Sequence, residues 1–275
     1  MSPEQIIVLA IVQGITEFLP ISSSGHLILI PAFTDWPDQG IVTDVMVHLG
    51  SLLAVIVYFW RDVLNLIGGG LDLLRFKMTD HGKMALFILV ATIPAVIFGL
   101  YLKSSGMSAQ LRSVEIIAWN AIIFGIVLYV ADRVGKRVKV MEDMTIAPAL
   151  IIGLSQALAL IPGTSRSGIT MSAARFLGFE RAEAARFSFL LGIPAIAGAG
   201  ILTLAEFVET GQSVPTDALW AAFLTFFSAI AAIAFLMAMV KRMSFLIFVL
   251  YRLALGLVLF ALLYNWIPGI NLNLT

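Results

Sequence analysis

Six apolar stretches, at roughly 44–61, 84–103, 114–132, 183–205, 217–240 and 245–265, are long enough to cross a bilayer as helices, which takes about 20 residues. Two others stop short. Residues 6–19 and 149–161 hold 14 and 13 residues before a proline and a polar cluster. At a rise of about 1.5 Å per residue each reaches about 20 Å, less than the roughly 30 Å of a hydrocarbon core. The first ends in Leu19-Pro20-Ile21-Ser22-Ser23-Ser24-Gly25-His26 and the second in Ile161-Pro162-Gly163-Thr164-Ser165-Arg166-Ser167-Gly168. A further short, partly apolar segment follows each, near 27–33 and 169–177. Half-helix, polar break, half-helix predicts a re-entrant hairpin. Such irregular backbone is tolerated at membrane depth only where protein or a polar cavity satisfies it.

The two halves resemble each other further. Pro20 precedes Gly50 by 30 residues and Pro162 precedes Gly192 by 30, an offset of 142 that falls to about 132 after a loop (62–83 against 206–216) that is longer in the first half. The chain therefore reads as one integral membrane domain, 1–275, of two repeats, about 1–140 and about 141–275. Each would be a re-entrant hairpin followed by three spans. Three is odd, so the second repeat must be inverted and the two broken tips can meet inside the membrane. The predicted fold class is an all-α polytopic membrane protein with an inverted repeat. Transporters often use that design, so fold alone leaves transporter and enzyme both open.

Composition agrees with lipid as the solvent. Sixty per cent of the residues are apolar, 12 % are charged and mean hydropathy is +1.00, where soluble domains carry about 25 % charged residues. Net charge is zero and cysteine is absent, so neither a disulfide framework nor a thiolate metal site exists; no nucleic-acid partner is expected. No positive region precedes the first apolar stretch, and Ser2-Pro3-Glu4-Gln5 reads as a helix start capped by Ser2 rather than as a signal peptide. On the six-span topology thirteen basic residues, from Arg61 to Arg242, fall on one face, and only Lys103 and Arg112 on the other. The positive-inside rule then places both termini outside the cytoplasm.

Candidate chemistry gathers at the breaks. Glu17, His26 and Arg166 are ionisable groups at or near membrane depth, where such groups are costly and mark function. Arg166 keeps its charge and needs an anion, either Glu17 or a ligand. Four hydroxyls (Thr164, Ser165, Ser167, Thr170), two glycines (Gly163, Gly168) and a helix start near Ser167 surround it, a combination that suits phosphate. Gln13 and Glu17, four apart, share a helix face and could hold one hard cation or simply hydrogen-bond each other. His26 could act as a base or as a nucleophile toward phosphorus. Asp44 and His48, also four apart, read equally as support for the site or as an interfacial polar face. Gln156 could orient the second break. His81, in a charged loop, reads as solvated.

Gln13-Gly14-Ile15-Thr16-Glu17-Phe18-Leu19-Pro20-Ile21-Ser22-Ser23-Ser24-Gly25-His26 resembles the first signature of the undecaprenyl-diphosphate phosphatase (bacitracin-resistance) family. Pro162-Gly163-Thr164-Ser165-Arg166-Ser167-Gly168-Ile169-Thr170 is similar to its second, and Asp44-Val45-Met46-Val47-His48-Leu49-Gly50 to a third segment. The resemblance implies a bacterial inner-membrane enzyme that hydrolyses undecaprenyl diphosphate with the help of a divalent cation, magnesium or calcium; with both termini outside the cytoplasm, its site is expected to open to the periplasmic side. It implies catalytic roles for Glu17, Ser23, His26 and Arg166. Ser22, Ser165, Ser167, Gly168, Thr170 and Gln156 would bind substrate, and Glu17 and Gln13 the metal. Gln13 stands where relatives often carry Glu, and the order of Ser23 and His26 as nucleophile and base stays open. Expected partners are the lipid substrate, membrane lipid and a second copy in a homodimer. The alternative is a secondary transporter of an anion or phospholipid. A membrane phosphatase of the type-2 phosphatidic acid phosphatase kind is excluded, because Ser172 stands where it would need a histidine and none follows His81.

Overall fold

The computed structural model describes residues 1–34, 36–209 and 213–266; the predicted position of the C-terminus falls on residues outside these. The described chain is helical throughout: α1 (Pro3–Phe18), α2 (Ser23–Phe33), α3 (Gly40–Tyr58), α4 (Trp60–Leu74), α5 (Asp80–Ser105), α6 (Met107–Gln110), α7 (Val114–Val134), α8 (Ile146–Leu158), α9 (Arg166–Phe176), α10 (Arg181–Glu209), α11 (Thr216–Val240) and α12 (Leu246–Leu263). Six of these, α3, α5, α7, α10, α11 and α12, are long and apolar enough to span a bilayer. They coincide with the six stretches expected, and the chain is a multi-pass membrane protein. Ser2 caps α1 as expected, its hydroxyl accepting from the Gln5 N–H at 3.2 Å.

Helices α1 and α2 form one pair around the first proline, and α8 and α9 another around the second. Both breaks have one geometry. Ser22 and Ser165 take the left-handed φ values 76° and 72°, and each hydroxyl caps the following helix by accepting from the N–H of Gly25 or Gly168. Caps normally sit in the extended region, so this positive φ turns the chain sharply into the second helix. The caps are 143 apart rather than 142, because the second break carries one more residue between proline and serine.

One expectation needs correction. Residues 62–83 hold the helix α4 rather than a plain connecting loop. Leu64, Ile67, Leu71 and Leu74 recur at helical spacing and remain exposed along one side, the stripe of an amphipathic helix. Gly68-Gly69-Gly70 disguises it, since glycine disfavours helix by up to about 1 kcal/mol per residue. Gly69 is required by packing: a side chain there would overlap the His81–Gly82 backbone at the start of α5.

Packing follows small residues, as in other membrane bundles. Helix α11 lies against α1 and α3, α8 against α5, and α12 against α7. A methyl group on Gly50 would meet the Ala222 carbonyl across α3 and α11, and one on Gly153 the backbone of Ala91 across α8 and α5. At one end of the bundle the buried Asp132 carboxylate joins four elements. It accepts from Arg181 at 2.6 and 2.8 Å, from Arg175 at 3.3 Å and from the Phe245 N–H at 3.2 Å.

Candidate active site

The first break delivers Glu17 from the last turn of α1 and Ser23 from the first turn of α2. Pro20 and the left-handed Ser22 between them fold the two back on each other, and the Ser23 hydroxyl donates to Glu17 Oε2 at 2.6 Å. The Gln13 amide, one turn earlier on α1, donates to the same oxygen at 3.1 Å. From α3, His48 brings Nε2 to 3.5 Å of Glu17 Oε2, while its Nδ1 meets the Asp44 carbonyl at 2.6 Å. The Asp44 carboxylate itself is held by Gln39 at 2.8 Å. Of the Asp44–His48 pair, then, it is His48 that faces the site.

Arg166 comes from the second break. It is the first residue of α9, its Nη2 donates to Glu17 Oε1 at 3.1 Å, and its Nη1 donates to the Ser188 carbonyl of α10 at 3.0 Å. The guanidinium can lie there because residue 192 is glycine: any side chain would overlap it. Gly50 and Gly192, matched by position in the sequence, thus serve different needs, a helix contact in one half and an arginine berth in the other. Glu17 is almost wholly buried (6 % exposed), and an unpaired carboxylate so placed would be very costly. Arg166, Ser23, Gln13 and His48 surround it instead.

The hydroxyls around Arg166 are mostly engaged within the break. Ser165 caps Gly168, and Ser167 donates to the Leu19 carbonyl at 3.0 Å, tying the second break to the first. Thr170 donates to the Arg166 carbonyl at 2.8 Å and lies 2.7 Å from the Ser188 hydroxyl. Ser22 caps Gly25. Thr164 Oγ1, Arg166 Nε and Gln13 Oε1, by contrast, are buried and have no hydrogen-bond partner. Buried polar atoms are nearly always paired, so three orphans in the two break segments mark a place for a polar ligand. Both amide atoms of Gln156 are likewise buried and unpartnered, and this side chain makes no hydrogen bond to either break.

Sequence reasoning missed the residue that joins the breaks. Arg252, in the middle of α12 and 1 % exposed, donates to the carbonyls of Pro20 (3.2 Å), Gly163 (2.8 Å), Asn120 (2.9 Å) and Ala121 (3.2 Å). Asn120 donates to the Pro162 carbonyl at 2.8 Å. Carbonyls freed by the breaks are thereby satisfied by protein, as the lipid environment demands. A charge inside an apolar span was the signal that could have found Arg252. Tyr251, its neighbour, lies 2.5 Å from His26 Nε2 and stacks on the ring; nothing in the local pattern pointed to it.

Fold and site together define a polytopic, all-helical membrane protein with a buried carboxylate, hydroxyl and arginine held between two helix breaks. The chain belongs to the family described as bacitracin resistance protein BacA, whose model matches residues 6–258. Among similar proteins is the undecaprenyl-diphosphatase of Erythrobacter litoralis, 50 % identical over 94 % of this chain and 98 % of that protein. Those of Roseobacter denitrificans (47 %; 94 % and 98 % covered) and Jannaschia sp. (48 %; 96 % and 100 % covered) carry the same description.

Proposed function

We infer that this protein hydrolyses undecaprenyl diphosphate to undecaprenyl phosphate and inorganic phosphate in the bacterial inner membrane. The observation that carries the reading is the Ser23–Glu17–Arg166 chain: a nucleophile 2.6 Å from a carboxylate that is itself 3.1 Å from an arginine. A transporter would need the arginine but has no use for a serine poised on a carboxylate. Family membership and the named relatives point the same way.

Ser23 is the better candidate for the attack, because its hydroxyl already donates at 2.6 Å to the carboxylate that would take its proton. Ser23 Oγ would attack the terminal phosphorus and pass its proton to Glu17. The bond from that phosphorus to the bridging oxygen would break, and the departing lipid monophosphate would take the proton from Glu17, leaving the carboxylate ready for the next cycle. Water would then take the phosphoryl group, its proton passing through His26 back to Ser23. Arg166, with Nε free and its fork suited to phosphate oxygens, would stabilise the charge that develops.

The residues also fit a divalent cation taken up with substrate. The Glu17 carboxylate is held by the Gln13 amide nitrogen, the same side chain keeps a buried Oε1 without a partner, and magnesium commonly uses one or two carboxylates plus substrate phosphates. Among the described residues no group of three or more His, Cys, Asp or Glu forms a ready cage, so substrate phosphate would have to complete the ion's shell. Glu17 and Gln13 would hold the ion, which when bound would neutralise phosphate charge and polarise the phosphorus.

The two helix pairs would be re-entrant hairpins of an inverted repeat, supported by the matching caps at Ser22 and Ser165. The first would enter from the periplasmic side, with both termini there and the site open to it. Purified protein should release phosphate from undecaprenyl diphosphate, lose that activity in EDTA and regain it with magnesium or calcium. No release in any divalent cation would sink the enzyme reading; release unaffected by EDTA would remove the metal.

A further inference from the structure

His26 Nδ1 lies 2.7 Å from the Ser22 carbonyl, which can only accept, so the ring carries its proton on Nδ1. In the neutral ring Nε2 is then a lone pair, and the group placed to donate to it at 2.5 Å is the Tyr251 hydroxyl. The two rings are stacked, with centroids 5.7 Å apart and an angle of 14°. These contacts come from opposite ends of the chain, 4 and 225 residues away. They fix both the tautomer and the direction of the imidazole. The hydroxyl suits either protonation state, donating to the neutral ring and accepting from the imidazolium. Tyr251 is itself held, because the next residue of α12, Arg252, is anchored to both breaks.

We propose that Tyr251 is a positioning residue for the reaction, one that locks His26 as the Nδ1–H tautomer with Nε2 as the working lone pair. It acts through His26. The inference rests on the proposed phosphatase reading for its kinetic consequence, but the tautomer does not depend on turnover.

Tyr251→Phe removes the hydroxyl and keeps the stacked ring, whereas Tyr251→Ala removes both. With histidine as the only ¹⁵N-labelled residue, and His48 and His81 as the only others, ring ¹⁵N spectra of the purified protein report His26 directly. Wild type should show a pyrrole-type Nδ1 and a pyridine-type Nε2. In Tyr251→Phe the Nε2 signal should move, and phosphate release should show kcat down about tenfold with KM unchanged, as when a transition-state group is misplaced. Tyr251→Ala should be at least as impaired. A wild-type spectrum and kcat in Tyr251→Phe, with only Tyr251→Ala defective, would reduce Tyr251 to packing. A raised KM with kcat unchanged would make it a substrate contact instead, and either result overturns the proposal. If the wild type releases no phosphate the phosphatase reading fails alone, and the spectra still decide the tautomer.

Discussion

At the scale of single residues the site turns on Glu17, whose carboxylate receives Ser23 from its own break and Arg166 from the other. Arg166 reaches it only because Gly192 leaves the space open. Gly192→Ala should therefore push the guanidinium aside and cut phosphate release by about 10²-fold, on the order of losing one charge-stabilising donor. Its thermal unfolding midpoint should also fall, since the buried Glu17 carboxylate loses its paired cation; full activity in this variant would deny Arg166 its position. Glu17, His26 and Arg166 were legible because an ionisable group in an apolar segment is conspicuous. Arg252 obeyed the same rule but was hidden in a span identified by its overall hydropathy. Tyr251 could not be read, because its meaning lies in a contact 225 residues away.

At the scale of elements, the question is how a polypeptide breaks its helices without stranding backbone carbonyls in lipid. Prolines, glycines and left-handed serines make the breaks, and the side chains of Asn120 and Arg252 satisfy the carbonyls. Arg252→Met should leave the Pro20, Ala121, Asn120 and Gly163 carbonyls without that donor. At about 1–3 kcal/mol for a buried unsatisfied group, the loss should be at least about 3 kcal/mol in denaturant unfolding from detergent. A variant as stable as wild type would show that Arg252 is not the tie between the breaks. Short helices, polar breaks and the six spans were all legible from length and hydropathy. Helix α4 was not, because three consecutive glycines mask its exposed apolar stripe, and Gly69, on the other side, is there for packing on α5.

For the whole molecule, the count of spans and the placement of basic residues predict one topology, and the absence of cysteine makes it easy to test. A single cysteine at Ser104 should react with a membrane-impermeant maleimide in intact spheroplasts, and one at Arg137 only after lysis; the reverse order would invert the assignment of faces. The likeness of the two breaks was legible as an offset of 142 between prolines, and their caps fall 143 apart because the second break is longer. The odd number of spans allowed the two tips to meet; what it could not supply was the contacts that hold them, Ser167 on the Leu19 carbonyl and Arg252 on the carbonyls of Pro20 and Gly163. That pairing is the central claim: neither break is a complete site alone. The most direct measurement is a double-mutant cycle on phosphate release with Glu17→Gln, Arg166→Ala and both together. Residues acting as one unit give non-additive losses, so each single variant should lose about 10³-fold and the double variant no more than the worse single. Losses that multiply, or a single variant with wild-type activity, would contradict a site shared between the two breaks.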